Sequence, residues 1–214
     1  MSKSTVSDQG PRNQQQWKMA ASGAGIIVCR RIEAGLEILL SMRAKIVGEG
    51  LGITGGGFVK CDALLAKPIG TVIQTADEAF DEACEENGGF EAVISKDSFL
   101  ERAQSVCQIH ARIDDLNEVH VVNMYTLRAQ STAEWNQFKA LPPGIEDGGK
   151  SERSGPLLSR VVRWSSPIDR REPERYVTIA NAEGRQSRIG DFYHPHEFHA
   201  IAAIAWHEQN GKLW

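Results

Sequence analysis

The sequence has no closely spaced cysteines and no long apolar run, and each absence excludes a class of protein. The four cysteines lie far apart without a C-x-x-C pair, at Cys29, Cys61, Cys84 and Cys107. We therefore expect reduced thiols rather than a disulfide framework or a zinc site. No apolar stretch approaches the roughly 20 residues that cross a membrane. Residues 1–20 are polar and lack the apolar core of a signal peptide, so we expect a disordered tail on a cytoplasmic protein.

An excess of basic charge is also missing. The chain carries 24 Lys and Arg against 28 Asp and Glu, a formal net charge of −4. This balance argues against binding to extended nucleic acid or to an anionic membrane, although one nucleotide could still bind in a local basic pocket. The 214 residues, 41% of them hydrophobic, are enough to bury one substantial core. We expect a single domain over residues 21–214.

The segment Thr75–Gly89 has a helical pattern with no basic residue at all. Its six carboxylates are Asp77, Glu78, Asp81, Glu82, Glu85 and Glu86. Four pairs of them are spaced i,i+4, and each such pair destabilises a helix by about 0.2–0.5 kcal/mol. The last two carboxylates fall just before the helix stop signal Asn87-Gly88-Gly89, where the helix dipole disfavours anions. A divalent cation bound to these side chains would supply the missing positive charge.

The remaining periodicity predicts intermixed strands and helices. Two apolar runs, 25–31 and 36–43, predict a β-hairpin closed by Ile32-Glu33-Ala34-Gly35, and a triple glycine follows at 55–57. A second hairpin is predicted over 106–113 and 119–127, strands over 157–164 and 175–180, and helices over 133–140 and 196–208. This mixture favours a layered α/β or α+β domain.

Two pieces of this pattern resemble the signature of the Nudix hydrolase family, G-x5-E-x7-R-E-U-x-E-E-x-G-U, in which U is apolar. The segment Asp81–Gly88 has three glutamates and the glycine of the signature core in register, and Gly56-x5-Asp62 matches its opening with Asp for Glu. The LL-x-x-R strand of the family has a counterpart in Leu39–Arg43. The chain departs from the family in two ways. Asp81 stands at the signature Arg, and 18 residues separate Asp62 from Asp81 where the family has seven, which indicates an inserted loop near residues 63–75.

The resemblance implies a fold and an activity. The fold would be a Nudix-like α/β/α sandwich, with a mixed central sheet between the acidic helix and the C-terminal helix and with an elaborated C-terminal third. The activity would be hydrolysis of a diphosphate linkage in a nucleoside diphosphate derivative, with Mg²⁺ or Mn²⁺ as cofactor. The partner is then a small nucleotide-type molecule, and a homodimer is allowed.

The resemblance also assigns site residues. Metal ligands would be Glu82, Glu85 and Glu86, of which Glu82 and Glu86 are also the catalytic residues. Glu82 and Glu86 lie one helical turn apart, so both can face one hard cation. Substrate-binding residues would be Arg43, Gly56 and Gly57, and Asp62 would orient the site without touching the metal. The general base would be a signature Glu or a loop carboxylate, and the loop candidates are Asp115, Glu146, Asp147 and Glu152.

Other hypotheses stay open. Asp81 in place of Arg favours a catalytically inactive Nudix-like module that senses a nucleotide or metabolite. The acidic run alone would also suit a solvated face or an acidic interaction domain without metal. The segment Gly52-x4-Gly57 is not a phosphate-binding P-loop, because Phe58-Val59 replaces the required Lys-Ser/Thr. We interpret His194, His196 and His199 as capping or surface histidines and Trp135, Phe138 and Trp164 as core.

Overall fold

The computed structural model of the chain describes residues 18–44, 49–60, 76–113, 118–145 and 151–213. In those residues the strands are β1 (Lys18–Ile32), β2 (Gly35–Met42), β3 (Leu51–Gly52), β4 (Gly55–Lys60), β5 (Gln104–Ile113), β6 (Glu118–Arg128), β7 (Leu158–Trp164), β8 (Val177–Ala180) and β9 (Gln186–Ser187). The helices are α1 (Ala76–Glu86), α2 (Phe90–Val93), α3 (Lys96–Arg102), α4 (Thr132–Lys139) and α5 (Pro195–Gln209). Several predictions lie outside the described residues: the tail before residue 18, the inserted loop near 63–75, Asp62, Asp115, Glu146 and Asp147.

All nine of these strands belong to one sheet, whose order is β5-β6-β1-β2-β7-β8-β9, with β3 beside β2 and β4 beside β1. The central pair, β1 and β6, is parallel, whereas both predicted hairpins are antiparallel. The predicted mixed sheet is therefore confirmed. Among the described helices, none is long and apolar enough to cross a bilayer.

The first hairpin has a shorter loop than predicted. Ile32 pairs with Gly35, so only Glu33 and Ala34 remain in the turn. Gly35 has a φ of 134°, and a Cβ there would lie 2.3 Å from the carbonyl oxygen of Val162. A two-residue loop matches the right-handed twist of the two strands, which explains why the longer loop was wrong.

Helices cover both faces of the sheet. Along β1, Ile26 and Val28 face the layer formed by α1–α4, whereas Ile27 and Cys29 face α5. This alternation follows from the two-residue period of a strand. The predicted α/β/α sandwich, with the acidic helix on one side and the C-terminal helix on the other, is confirmed.

The acidic helix α1 lies unusually close to the sheet. Its buried positions include Ala79, Phe80 and Ala83. A Cβ added at Gly55 in β4 would lie 2.7 Å from the Cα of Ala83, so only glycine permits this contact. Gly55 thus makes room for the helix, whereas its neighbours Gly56 and Gly57 are the predicted substrate-binding residues.

The C-terminal end of α1 is fixed by backbone from two distant segments. The side-chain amide of Asn87 donates to the carbonyl oxygens of Thr54 (2.8 Å) and Ala83 (2.9 Å). The N–H of Gly144 donates to the carbonyl of Glu86 at 2.8 Å. The bond from Gly144 satisfies a carbonyl that the helix end leaves without an intrahelical partner. The last turn of α1, which carries Glu82, Glu85 and Glu86, is thus held in one position.

Candidate active site

A cavity of about 270 Å³ lies between the C-terminal turn of α1 and the first turn of α5. Five carboxylate side chains line it: Glu82, Glu85, Glu86, Glu152 and Glu197. The structure thus brings the three predicted metal ligands together with two carboxylates from the C-terminal third. Arg43, His194, His196 and Gly56 also line the cavity.

The rest of the cavity wall is apolar. It is formed by Ala24, Ile53, Val122 and Met124, which come from the centre of the sheet and from the turn before β4. Apolar side chains lower the local dielectric constant, so the charges in this cavity interact more strongly than they would in water.

Glu86 is deeply buried, with 6% of its surface exposed, as is Glu197. Burial raises the pKa of Glu86 from its usual 4.5 to about 8. Arg43 and a hydrogen bond from the backbone N–H of Gly56 lower that pKa, whereas Glu152 and Glu82 raise it. Gly56 therefore contacts the site through Glu86, and its role in substrate binding stays a prediction.

Arg43, at the end of β2, connects the carboxylates. Its Nη1 lies 3.4 Å from Glu86 and its Nη2 lies 2.7 Å from Glu152. Its guanidinium carbon sits 5.0 Å from the centroid of the Tyr193 ring. A second arginine, Arg153, is buried, and burial lowers its pKa to about 10 while the charge of Glu86 opposes that shift.

The first turn of α5 supplies residues that the sequence did not single out as functional. The backbone N–H of His194 donates to Glu197 at 3.4 Å, and Glu197 is buried. Burial raises the pKa of Glu197 to about 7, although hydrogen bonds from His194 and Ile53 and the charge of Arg43 lower it. The predicted capping role of His194 agrees with this position. However, His194 and His196 also line the cavity, with their rings stacked at a centroid distance of 4.8 Å.

The sequence does contain a local signal for this turn. His194-Pro195-x-Glu197 places a proline in the first turn and an acidic residue at the third helical position, both typical of a helix start. That signal predicts the helix end, but not its position opposite α1. His199 lies apart from this group and lines a different cavity.

One expectation about the acidic helix is wrong. Its carboxylates were expected to lack any basic partner, but Lys96 at the start of α3 lies 2.8 Å from Asp81 and 3.8 Å from Asp77. The pKa of Lys96 is raised, chiefly by its hydrogen bond to Asp81. Two carboxylates on the exposed face of α1 thus share one basic partner from a neighbouring helix.

The other predicted residues lie at three separate places in the structure. Gly57 lies in β4 opposite Ala24, next to the lining residue Gly56. Trp135 and Phe138 are fully buried in the core beneath α4, as predicted. Trp164 is in β7 and lines a separate surface cavity.

The lining residues suit a hard divalent cation by their chemistry. Carboxylate oxygens are the preferred protein ligands of Mg²⁺ and Mn²⁺, and the lining carboxylates outnumber the single lining arginine. Within the described ranges, no three His, Cys, Asp or Glu side chains are grouped closely enough to hold a metal ion. Glu85 is exposed and Glu82 is half-buried.

We expect the metal-free protein to lose stability as the pH rises from about 4.5 to 8. Glu86 and Glu197 have folded-state pKa values of about 8 and about 7, above the usual 4.5. The folded state therefore binds protons more tightly than the unfolded state. The resulting contribution to the free energy of unfolding is complete below pH 4.5 and is lost as the pH rises through the folded-state pKa values. Urea unfolding of the metal-free protein at several pH values measures the effect. In Glu197→Gln the free energy of unfolding should depend less on pH below pH 7. An unchanged pH dependence in that variant would contradict the assignment.

The overall structure is similar to solved structures of known family. A MutT/nudix family protein from Enterococcus faecalis aligns at 14% sequence identity and a TM-score of 0.52, over 91% of this chain. The chain spans 64% of that protein's length. A NUDIX hydrolase from Nitrosomonas europaea aligns at 11% identity and a TM-score of 0.41, over 92% of this chain and 76% of that one.

The NUDIX domain of Shewanella oneidensis NrtR, in a complex with ADP ribose, aligns at 14% identity and a TM-score of 0.38, over 68% of this chain and 75% of that one. The last two TM-scores are too low to add to the fold assignment. No family sequence model matches the chain, and no curated protein matches it by sequence. The similarity to the Enterococcus faecalis protein, together with the sandwich and its helix of in-register glutamates, shows that the chain has the Nudix fold.

Proposed function

We propose that the protein is a hydrolase that cleaves a diphosphate linkage in a nucleoside diphosphate derivative and depends on Mg²⁺ or Mn²⁺. One observation carries the proposal: Glu82, Glu85 and Glu86 line the same cavity in a chain with the Nudix fold. The volume of about 270 Å³ suits part of a small molecule and not a polymer.

The metal would be held by Glu82, Glu85 and Glu86, which supply hard oxygen ligands. When bound, the ion would neutralise phosphate charge and lower the pKa of a coordinated water. Gly56 and Gly57 would let the backbone approach the phosphates closely. Asp62 would orient these groups, as the family resemblance implies.

The hydrolysis itself needs a base close to the attacking water. Water adds to one phosphorus, its proton passes to a carboxylate, and the bond from that phosphorus to the bridging oxygen breaks, leaving the second phosphate as the leaving group. Glu82 and Glu86 are the proposed catalytic residues. Glu152 is the loop candidate for which the structure supports a position in the cavity. Asp115, Glu146 and Asp147 remain candidates from the sequence alone.

The experiment is to incubate the wild-type protein with a panel of nucleoside diphosphate derivatives and to separate the products by ion-exchange chromatography. We expect turnover of at least one compound with Mg²⁺ or Mn²⁺ and none with EDTA. Turnover that is equal in EDTA would contradict the metal requirement.

Asp81 supports one alternative of a different class, a module that binds such a compound without cleaving it. The signature Arg orients a carboxylate in the family pattern, and here its position is taken by an exposed Asp paired with Lys96. The same panel separates the two functions. Micromolar binding of a panel compound in the presence of Mn²⁺, with no product after long incubation, would favour the binding module.

A further inference from the structure

Arg43 is the one cation, among the lining residues that the structure describes, that is always charged and that contacts the cavity carboxylates directly. It lies 3.4 Å from Glu86 and 2.7 Å from Glu152, and it also acts electrostatically on Glu197. Its side chain is 17% exposed, so its charge is only weakly screened by solvent. It occupies the place where positive charge is most favourable in the cavity.

Of the two ion pairs that Arg43 makes in the cavity, only one is short. The pair with Glu152 is short, whereas the distance to Glu86 is at the long limit of a hydrogen bond. The Nε–H of Arg43 is buried and has no hydrogen-bond partner among the residues that the structure describes. A buried donor without a partner is costly. The guanidinium therefore keeps capacity for an oxygen ligand that enters the cavity.

We propose that Arg43 is an internal counter-cation that competes with the divalent metal for Glu86 and Glu152, so that metal binding frees its guanidinium for the diphosphate of the substrate. This inference rests on the proposed function. A planar guanidinium is well suited to bidentate contact with phosphate oxygens. In the absence of metal the same guanidinium pairs with the carboxylates, and this pairing stabilises the folded cavity.

This arrangement couples the two ligands. A metal ion that takes over the carboxylates raises the affinity of Arg43 for phosphate, and a bound diphosphate that takes Arg43 away leaves the carboxylates open to metal. By thermodynamic linkage the two effects have the same size. Asp81 pairs with Lys96 on the other side of α1 and takes no part in this coupling. The cation that orients the cavity carboxylates is therefore Arg43, directly after β2.

The test is calorimetric titration at pH 8 with Mn²⁺ alone and with α,β-methylene-ADP, a diphosphate compound that resists hydrolysis. Arg43→Gln should bind Mn²⁺ about five- to tenfold more tightly than wild type, the lower part of the usual range for coupled sites, and should bind α,β-methylene-ADP at least about tenfold more weakly. Arg43→Lys keeps the charge and should restore Mn²⁺ affinity to near the wild-type value.

Two further variants sharpen the test. Glu152→Gln removes the closer partner of Arg43 and should strengthen binding of α,β-methylene-ADP in the absence of metal. Arg175→Gln is the matched control, because Arg175 is 72% exposed and pairs only with the nearby Glu172 among described residues. It should change neither affinity.

The outcomes separate this inference from the proposed function. If Arg43→Gln weakens both ligands alike, Arg43 is only structural and the competition is overturned, while the hydrolase proposal stands. If wild type binds neither Mn²⁺ nor the analogue, both fall. If the opposite shifts appear but the panel shows no turnover, Arg43 has the proposed role in a binding module.

Discussion

Glu86→Gln is expected to reduce kcat by more than about a hundredfold, with the fold intact, because it removes a charge from the proposed metal site and each tenfold in rate is about 1.36 kcal/mol of transition-state stabilisation. Glutamine has nearly the same shape as glutamate and can still accept the hydrogen bond from Gly56. It also avoids the cost of a buried charge, which raises the pKa of Glu86 to about 8. Thermal stability without metal should therefore stay equal or rise.

Steady-state kinetics with the best panel compound measure the effect, and far-ultraviolet circular dichroism checks the fold. Glu82→Gln should show a loss of the same order. Glu101→Gln is the control, because Glu101 is an exposed carboxylate on α3 outside the cavity lining. A second readout is the melting temperature, which Mn²⁺ should raise in wild type and barely change in Glu86→Gln. A folded Glu86→Gln variant with wild-type kcat would place the catalytic metal elsewhere.

Phe90→Ala is expected to lower the free energy of unfolding by about 3–5 kcal/mol, the usual cost of deleting a fully buried aromatic ring. Phe90 is 0% exposed and is the first residue of α2. Its ring centroid lies 5.9 Å from Phe80 in α1, 6.3 Å from Phe99 in α3 and 5.3 Å from Phe138 in α4. The first two contacts are edge-to-face, a geometry that adds about 0.5–1.5 kcal/mol beyond burial.

Urea unfolding measures this loss. Leu100→Ala on α3 is the control, since that side chain is 37% exposed and its truncation should change stability by no more than about 0.5 kcal/mol. A loss below about 1 kcal/mol for Phe90→Ala would mean that the aromatic cluster does not hold α1 on the sheet.

The sequence was informative where short-range spacing decides the structure. The two predicted hairpins and the helix stop after Glu86 depend on spacing within short segments, and the structure agrees with these predictions. Glu82, Glu85 and Glu86 line one cavity, since residues three and four apart lie on neighbouring parts of a helix surface, and their role as metal ligands stays a prediction.

The contacts of Arg43 and the contribution of α5 were beyond that kind of inference. Arg43 and Glu86 are 43 positions apart in the chain, and Glu197 is more than twice as far from Glu86. Periodicity identifies which face of an element is buried, but not which other element will cover it. The partner of Asp81 was missed for the same reason, since Lys96 belongs to a different helix.

The parallel pairing of β1 with β6 has a consequence for synthesis of the protein. Cys29 in β1 pairs with Arg128 in β6. One edge of β1 therefore has no partner strand until about 100 further residues have been translated. At about 5–20 residues per second, that side stays open for roughly 5–20 seconds on the ribosome. The strand contains Gly-Ile-Ile-Val-Cys at 25–29, an apolar segment that can pair with any other open strand. Nascent chains are therefore most exposed to aggregation before β6 emerges, and slower translation would lengthen that interval.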